Sequence, residues 1–350
     1  MKNVLVLFGG ESSEYEVSLI SSYNIINAID KNEYNVITVG ITKDGNWYLF
    51  EGDYEKIKDG SWTLEKNKKA FISPCKSSLG VIVLNNGEYE EIKVDVCFPV
   101  LHGKNGEDGT VQGLLQLAGI KYVGCRLLSS SVCMDKVMTK IVLEKNNIPQ
   151  TPYIFIKKHE LENVSAYEKE IENKLGFPCF VKPVNAGSSV GASKVNSKAD
   201  VEKAVREAFE HDDKVLVEKY INCREIEVAV LGNDEVKVAG PGEIVSESEF
   251  YDYDTKYISN SGVSYQIPAD ISQKQAELIK EYAVKAFYAL DIRGFSRIDF
   301  FIDRDTNEIY LNEINTIPGF TNISMYPKLF VSEGVSYNEL VSELLELACN

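Results

Sequence analysis

The sequence predicts an α/β chain with antiparallel strand pairs toward its C-terminus. Three observations carry that reading. Residues 4–8 are an apolar run closed by Gly9-Gly10, and Glu16-Val17-Ser18-Leu19-Ile20 then begins an amphipathic pattern. That order is strand, tight turn and helix. Next, residues 226–231 and 235–239 flank Gly232-Asn233, which reads as a hairpin. Lastly, apolar runs on either side of Asp303-Arg304-Asp305-Thr306-Asn307 read as a second antiparallel pair. With 350 residues, 44% of them hydrophobic, the chain is long enough for a large core and two or three domains.

The elements follow in order. Residues 35–40 and 94–101 read as strands, the latter delivering the polar loop His102-Gly103-Lys104-Asn105-Gly106-Glu107-Asp108-Gly109. Residues 111–117 look helical, and 135–146 form another helix ended near Pro149. Strands are expected at 154–158, 179–183 and 215–218, with a helical segment at 198–209 between the last two. The polar, aromatic stretch 246–266 has no clear period and reads as a long loop. Residues 273–290 carry Ala276, Ile279, Ala283, Ala286 and Phe287 on one helical face. Residues 337–347 form a last helix. No internal repeat or low-complexity tract is present.

Composition excludes several classes. No apolar run approaches eighteen residues, so no membrane span is expected. The start MKNVLVLFGGESSEYE has too short an apolar stretch for a signal peptide. Seven scattered cysteines without C-x-x-C spacing suit a reducing cytoplasm better than a disulfide framework or a zinc site. A net charge of −16 argues against a nucleic-acid partner.

Chemistry concentrates near the C-terminus. In Leu311-Asn312-Glu313-Ile314-Asn315, Glu313 and Asn315 are two apart, so a strand points both to one face. Arg297 and Asp299 form a second such pair on the preceding strand. If the two strands pair, Asp299, Glu313 and Asn315 meet with Arg297 beside them. Two carboxylates and an amide oxygen suit Mg²⁺, which completes its shell with phosphate oxygens and water. The competing reading is a buried Arg297–Asp299 salt bridge and a plain strand end. A Mg²⁺ site implies a nucleotide. Lys182-Pro183 ends a strand and runs into Asn185-Ala186-Gly187-Ser188-Ser189-Val190-Gly191, whose small residues let backbone N–H groups close on phosphate. No Walker motif occurs. Glu218-Lys219 at a strand end could meet an adenine amino group, or could be an exposed strand end.

These residues together resemble the D-alanine–D-alanine ligases of the ATP-grasp superfamily. The resemblance covers nearly the whole chain. It includes G-G-E-S-S-E-Y-E-V-S, P-V-L-H-G-K-N-G-E-D-G, M-D-K at 134–136, G-S-S-V-G after Lys182, F-Y-D-Y-D-T-K-Y at 250–257, R-I-D, and N-E-I-N-T-I-P-G-F. It implies an N-terminal doubly wound parallel-sheet domain (residues 1–123). A two-subdomain ATP-grasp fold would follow, with a central part at 124–216 and a C-terminal part at 217–350 that carries a lid loop at 246–266.

By the same resemblance, Lys136, Lys182 and Ser189 contact ATP phosphates, Lys256 lies beside the nucleotide, Glu218 reads adenine and Glu225 holds the ribose. Asp299, Glu313 and Asn315 hold two Mg²⁺ ions, with Mn²⁺ as an alternative. Glu16 receives the ammonium of the first D-alanine, His102 lies near its carboxylate, and Ser188 links to Glu16 and to Tyr257 of the long loop. Without the resemblance, His102 could simply fix its loop and Glu16 simply begin a helix. Ser324 and Met325 hold the second amino acid, within reach of Lys256 or Arg297. Arg297 and the backbone N–H of Gly319 face the tetrahedral oxyanion. The implied reaction is ATP-dependent joining of two D-alanines through an acyl phosphate, for peptidoglycan precursors, by a cytoplasmic homodimer. D-serine as acceptor, as in a vancomycin-resistance operon, stays open, as does another carboxylate–amine ligase. A silent ATP-binding regulator would not need the full set Lys182, Arg297, Asp299, Glu313 and Asn315. A Rossmann dehydrogenase is discarded, because no G-x-G-x-x-G follows the first strand.

Overall fold

The computed structural model describes residues 1–187, 190–246 and 263–350. Three sheets organise them. The first has eight strands in the order β6-β5-β4-β3-β2-β1-β7-β8. Its strands are β1 (Lys2–Gly9), β2 (Tyr34–Ile41), β3 (Trp47–Phe50), β4 (Lys68–Ile72), β5 (Gly80–Asn85), β6 (Glu88–Lys93), β7 (Val96–Pro99) and β8 (Lys121–Tyr122). Strand β1 runs parallel to β2 and β7, and β7 to β8, which is the expected parallel core. From β3 to β6 the pairing is antiparallel, so the sheet is mixed. The parallel half is buried, as a helix-covered parallel sheet must be: Val4 to Phe8 are fully inaccessible.

The second sheet has four strands in the order β11-β10-β12-β9: β9 (Tyr153–Lys157), β10 (Cys179–Pro183), β11 (Ser193–Val195) and β12 (Lys214–Lys219). The helices Val164–Lys174 and Val201–Ala208 bury Ile171, Val201, Ala204, Val205 and Ala208 against it. The division expected at 216/217 falls inside β12, which belongs wholly to this sheet.

The third sheet has five strands in the order β15-β14-β13-β16-β17: β13 (Cys223–Gly232), β14 (Val236–Ser246), β15 (Val263–Gln266), β16 (Gly294–Asp303) and β17 (Ile309–Asn315). Both hairpins read from the sequence are present. The end of the expected loop 246–266 is instead the strand β15, whose Val263 to Gln266 pair with β14. Its Val263-Ser264-Tyr265-Gln266 is too short for an alternation to show.

Two devices position the first sheet: a glycine turn within it, and an aromatic cluster that ties it to the third sheet. The glycine turn after β1 is sterically required: Gly9 has φ +85°, and a Cβ there would lie 2.1 Å from the Ile41 carbonyl oxygen. Its N–H donates to Ser18 Oγ at 2.8 Å, which ties the first turn of the helix Tyr15–Ala28 to the end of β1. The second device is aromatic. Phe98 of β7, Phe295 of β16, Phe320 and Tyr326 stack edge-on or tilted with centroids 5.5–6.4 Å apart. Each such pair adds about 0.5–1.5 kcal/mol beyond the area it buries.

Candidate active site

Across β13, β16 and β17, Glu227 pairs with Asp299 and Asp299 with Glu313; one step along, Arg297 pairs with Asn315. Residues directly opposite in a sheet share a face. The two i, i+2 pairs thus converge as the spacing required. Arg297 donates Nε to Asp299 Oδ1 at 2.8 Å and Nη2 to Oδ2 at 2.7 Å. Asn315 Nδ2 donates to Asp299 Oδ2 at 3.0 Å. Arg297 Nε also stands 3.0 Å from Glu227 Oε2, an ion-pair contact, since the N–H itself is aimed at Asp299. The salt bridge named as the competing reading therefore exists, and it occupies the same corner. The donor set nevertheless fits a hard cation: carboxylate and amide oxygens, with no imidazole or thiolate among the side chains named here. Occupation would require Arg297 to share Asp299.

This corner opens on a cleft of about 500 Å³ between the second and third sheets, lined by Lys136, Lys182, Glu218, Glu225, Asp299 and Glu313. Lys182 is the penultimate residue of β10 and Glu218 lies near the end of β12, where Phe180 is its partner across the ladder. Glu218 Oε2 is paired with Lys182 Nζ, and Oε1 receives Lys140 Nζ and the Thr151 hydroxyl, both at 2.7 Å. Burial disfavours the charged carboxylate, but the two lysines outweigh it and hold the Glu218 carboxyl well below the usual carboxylate range. Burial likewise opposes the Lys182 ammonium, yet Glu218 raises it above the ordinary lysine value. Lys136 opens the helix Lys136–Lys145, capped by Asp135, and donates to the Ala186 carbonyl at 2.8 Å. Burial lowers its ammonium, with Glu313 opposing.

A smaller cavity of about 70 Å³ adjoins the cleft, lined among others by Glu14, Gly103, Glu107, Arg297 and Glu313. Here the structure departs from expectation. Glu16 does not reach it: its side chain is 57% exposed and paired with Lys43. Of Glu14 and Glu16, Glu14 is the one that lines the cavity. The helix starts at Tyr15, and two residues on a helix point about 200° apart, so Glu14 and Glu16 cannot face the same way. His102 is buried, with Nδ1 2.9 Å from the Ile317 carbonyl and Nε2 3.3 Å from Ser21 Oγ. A carbonyl only accepts, so Nδ1 carries the proton and Nε2 accepts from the hydroxyl. Burial keeps the ring neutral by lowering its pKa. Ser21 Oγ also accepts the Phe320 N–H at 3.0 Å, so His102 fixes its loop to the 317–320 run. Glu107, unassigned from sequence, accepts the N–H of Gly103 at 2.8 Å and of Ile317 at 3.0 Å. Burial, then Glu14, push its carboxyl up to about 8 against those two bonds.

Gly319, Ser324 and Met325 line the large cleft at its far side. Ser324 Oγ receives the Thr321 N–H at 3.0 Å, and Met325 opens the helix Met325–Ser332. Ser188, Ser189, Lys256 and Tyr257 lie outside the described residues, as does most of the loop 246–266. Sequence reasoning missed Glu14, Glu107, Lys140 and Glu227. For Glu14 the signal was its place within the same G-G-E-S-S-E-Y-E run; for Glu227, its i, i+2 spacing from Glu225 on an apolar strand.

Comparison with known proteins meets this geometry. A family model described as D-ala D-ala ligase N-terminus matches residues 3–125, and one described as D-ala D-ala ligase C-terminus matches 142–346. The chain is 50% identical to a D-alanine–D-alanine ligase of Clostridium acetobutylicum over 100% of this chain and 98% of that protein. It is 48% identical to one of Thermoanaerobacter sp. (strain X514), covering 99% and 96%. Among solved structures, the VanG D-Ala:D-Ser ligase from Enterococcus faecalis superposes with a TM-score of 0.90 at 42% identity, covering 99% of both chains. The D-alanine–D-alanine ligase from Coxiella burnetii gives 0.85 at 34%, covering 100% and 95%. Both halves of the chain are matched and its relatives align with it from end to end, so the chain belongs to the D-alanine–D-alanine ligase family.

Proposed function

We propose that this protein joins two D-alanines at the expense of ATP, with the residues around the cleft in the roles given below. As a member of its family it is an ATP-dependent, ADP-forming ligase acting on small amino acids for peptidoglycan precursor synthesis. The observation that carries the residue assignment is the meeting of Asp299, Glu313, Asn315 and Arg297 at one corner of a cleft walled by lysines.

In this reading Lys136 and Lys182 hold nucleotide phosphates, and Glu218 and Glu225 hold the base and ribose. Asp299, Glu313 and Asn315 would hold Mg²⁺, which neutralises phosphate charge and steadies the γ-phosphoryl group when bound. Glu14, replacing Glu16, receives the first ammonium; charge complementarity in a small buried cavity supports this. The carboxylate of the first D-alanine attacks the γ-phosphoryl group, ADP leaves, and an acyl phosphate results. The amine of the second D-alanine attacks the acyl carbon, and phosphate departs with the carbonyl restored. Arg297 and the Gly319 N–H are the donors proposed for the intermediate oxyanion, each worth about 2.7–4 kcal/mol in comparable sites.

D-alanine is favoured over D-serine as acceptor because the curated relatives at 48–50% identity are D-alanine–D-alanine ligases, whereas the D-Ala:D-Ser ligase structure is 42% identical. The division into an N-terminal substrate domain and two nucleotide-clamping subdomains is proposed from the three sheets. A cytoplasmic homodimer is proposed from the family resemblance, and among the described residues no helix is long and apolar enough to cross a membrane. The test is phosphate release with ATP, Mg²⁺ and either D-alanine or D-serine, with the dipeptide identified by mass. Phosphate release without dipeptide would overturn the ligase reading.

A further inference from the structure

Glu218 sits between two lysines that differ in where they can go. Lys182 is 19% exposed and lines the cleft; Lys140 is 3% exposed and stands behind Glu218, away from the cleft. The helix Lys136–Lys145 explains the placement. Positions 136 and 140 are four apart and share a face, so one turn carries one lysine to the cleft and the next to its back wall. Lys140 Nζ donates to Thr151 Oγ1 at 3.1 Å, the Thr151 hydroxyl donates to Glu218 Oε1 at 2.7 Å, and Lys140 Nζ meets the same oxygen at 2.7 Å. One carboxylate thus has a deeply buried counter-ion and one that borders the cleft.

We propose that Lys140 is a positioning residue for the nucleotide: it is the standing counter-ion that keeps Glu218 in place and lets Lys182 leave that carboxylate for an incoming polyphosphate. The proposal rests on the reading of the cleft as the ATP site. A buried carboxylate stripped of its last cation is strongly disfavoured, so with Lys182 as its single partner the pair would stay closed. With Lys140 and the Thr151 hydroxyl in place, Glu218 retains a full cation and a hydrogen bond after Lys182 turns. Burial pushes the Lys140 ammonium down, but Glu218 opposes it. The two oxygens of Glu218 divide the work: Oε1 is held from behind, and Oε2 faces Lys182.

The test is calorimetric binding of ATP to the full-length protein without amino acid, alongside steady-state kinetics. Lys140→Met keeps the stem and removes the charge. Its Kd and KM for ATP are expected to rise by roughly tenfold or more, while KM for D-alanine stays within about twofold, because the loss is confined to the nucleotide wall. Lys140→Arg is expected to restore much of the ATP affinity. A folded Lys140→Met protein that binds ATP like the wild type would overturn the proposal, whatever its melting temperature. Should that variant not fold, Glu218→Gln supplies the background, since the charge that needs Lys140 is then gone. There, adding Lys140→Met is expected to change ATP affinity by less than about twofold, and a further loss of roughly tenfold would show the two residues acting independently. Failure of the wild type itself to bind ATP would instead sink the reading of the cleft.

Discussion

Asp299 stands directly opposite Glu313 across β16 and β17, and Arg297 grips Asp299 through two hydrogen bonds of 2.7 and 2.8 Å. In the proposed assignment, the carboxylate that would hold a cation is therefore the one that holds the guanidinium proposed to face the reacting carbonyl. Asp299→Asn should disturb both, whereas Glu313→Gln should disturb the cation alone. Each is expected to lower turnover by roughly 10²–10³, the scale seen when one electrostatic stabiliser is removed. Phosphate release measures turnover, and Mn²⁺ binding followed by electron paramagnetic resonance gives a readout independent of it. Glu313→Gln should weaken that binding without moving the melting temperature much. Wild-type Mn²⁺ affinity in both variants would make the corner a structural salt bridge.

Glu14 and Glu16 offer a sharper contrast, because they share a motif and a charge. Glu14→Gln is expected to cut kcat/KM for the first D-alanine by roughly 10–150-fold, about the 1.5–3 kcal/mol of a hydrogen bond to a charged group. Glu16→Gln breaks only an exposed pair with Lys43, worth about 0–1 kcal/mol, and should leave kinetics near wild type. Measuring KM for D-alanine in the two variants decides between them. A larger defect in Glu16→Gln would reverse the assignment.

That contrast shows where the sequence is legible. A strand alternates faces with a period of two, so Arg297/Asp299 and Glu313/Asn315 could be paired on paper once the turn at 303–307 was seen. A helix start gives no such guarantee. Whether Glu14 or Glu16 faces the substrate depends on where the first turn begins, and here Ser18, held by the Gly9 N–H, helps set it. The edge strand β6 escapes the sequence for a different reason. Glu88-Tyr89-Glu90-Glu91-Ile92-Lys93 is an exposed edge with almost no apolar face, so neither period appears. Lys140 is invisible from sequence because its partner Glu218 lies 78 positions away, and only the fold joins them.

Glu107 gives a pH prediction. Its carboxyl is raised from 4.5 to about 8 in the folded protein, first by burial and then by Glu14. Between those values the unfolded chain has released the proton and the folded chain still binds it. Stability must therefore fall as pH rises through this window, at up to about 1.4 kcal/mol per pH unit from this group. Glu107→Gln removes the titration, so its stability relative to wild type should improve from pH 5 to pH 8. Chemical denaturation at the two pH values checks this. Parallel curves for both proteins would mean that Glu107 is ionised in the fold.

The acceptor pocket is the last test. Met325 lines the cleft beside Ser324, 2% exposed, and packs so close to β14 that a Cβ at Gly242 would lie 2.8 Å from its sulfur and 2.9 Å from Leu329 Cδ2. Met325 yields more easily than a branched side chain, so Gly242→Ala should shift it into the cleft rather than unfold the sheet. The expected result is a higher KM for the second D-alanine with KM for ATP unchanged. In the wild type, an apolar wall rejects an added hydroxyl by only about 10², so some D-serine use is expected beneath a clear D-alanine preference. D-lactate, lacking the amine, should not be joined at neutral pH. Steady-state kinetics of Gly242→Ala, and competition of D-alanine with D-serine or D-lactate followed by mass detection of the products, read these expectations. A D-serine preference of about tenfold or more would remove Met325 from the specificity argument, because an apolar thioether offers no hydrogen bond to that hydroxyl beyond a weak one to sulfur.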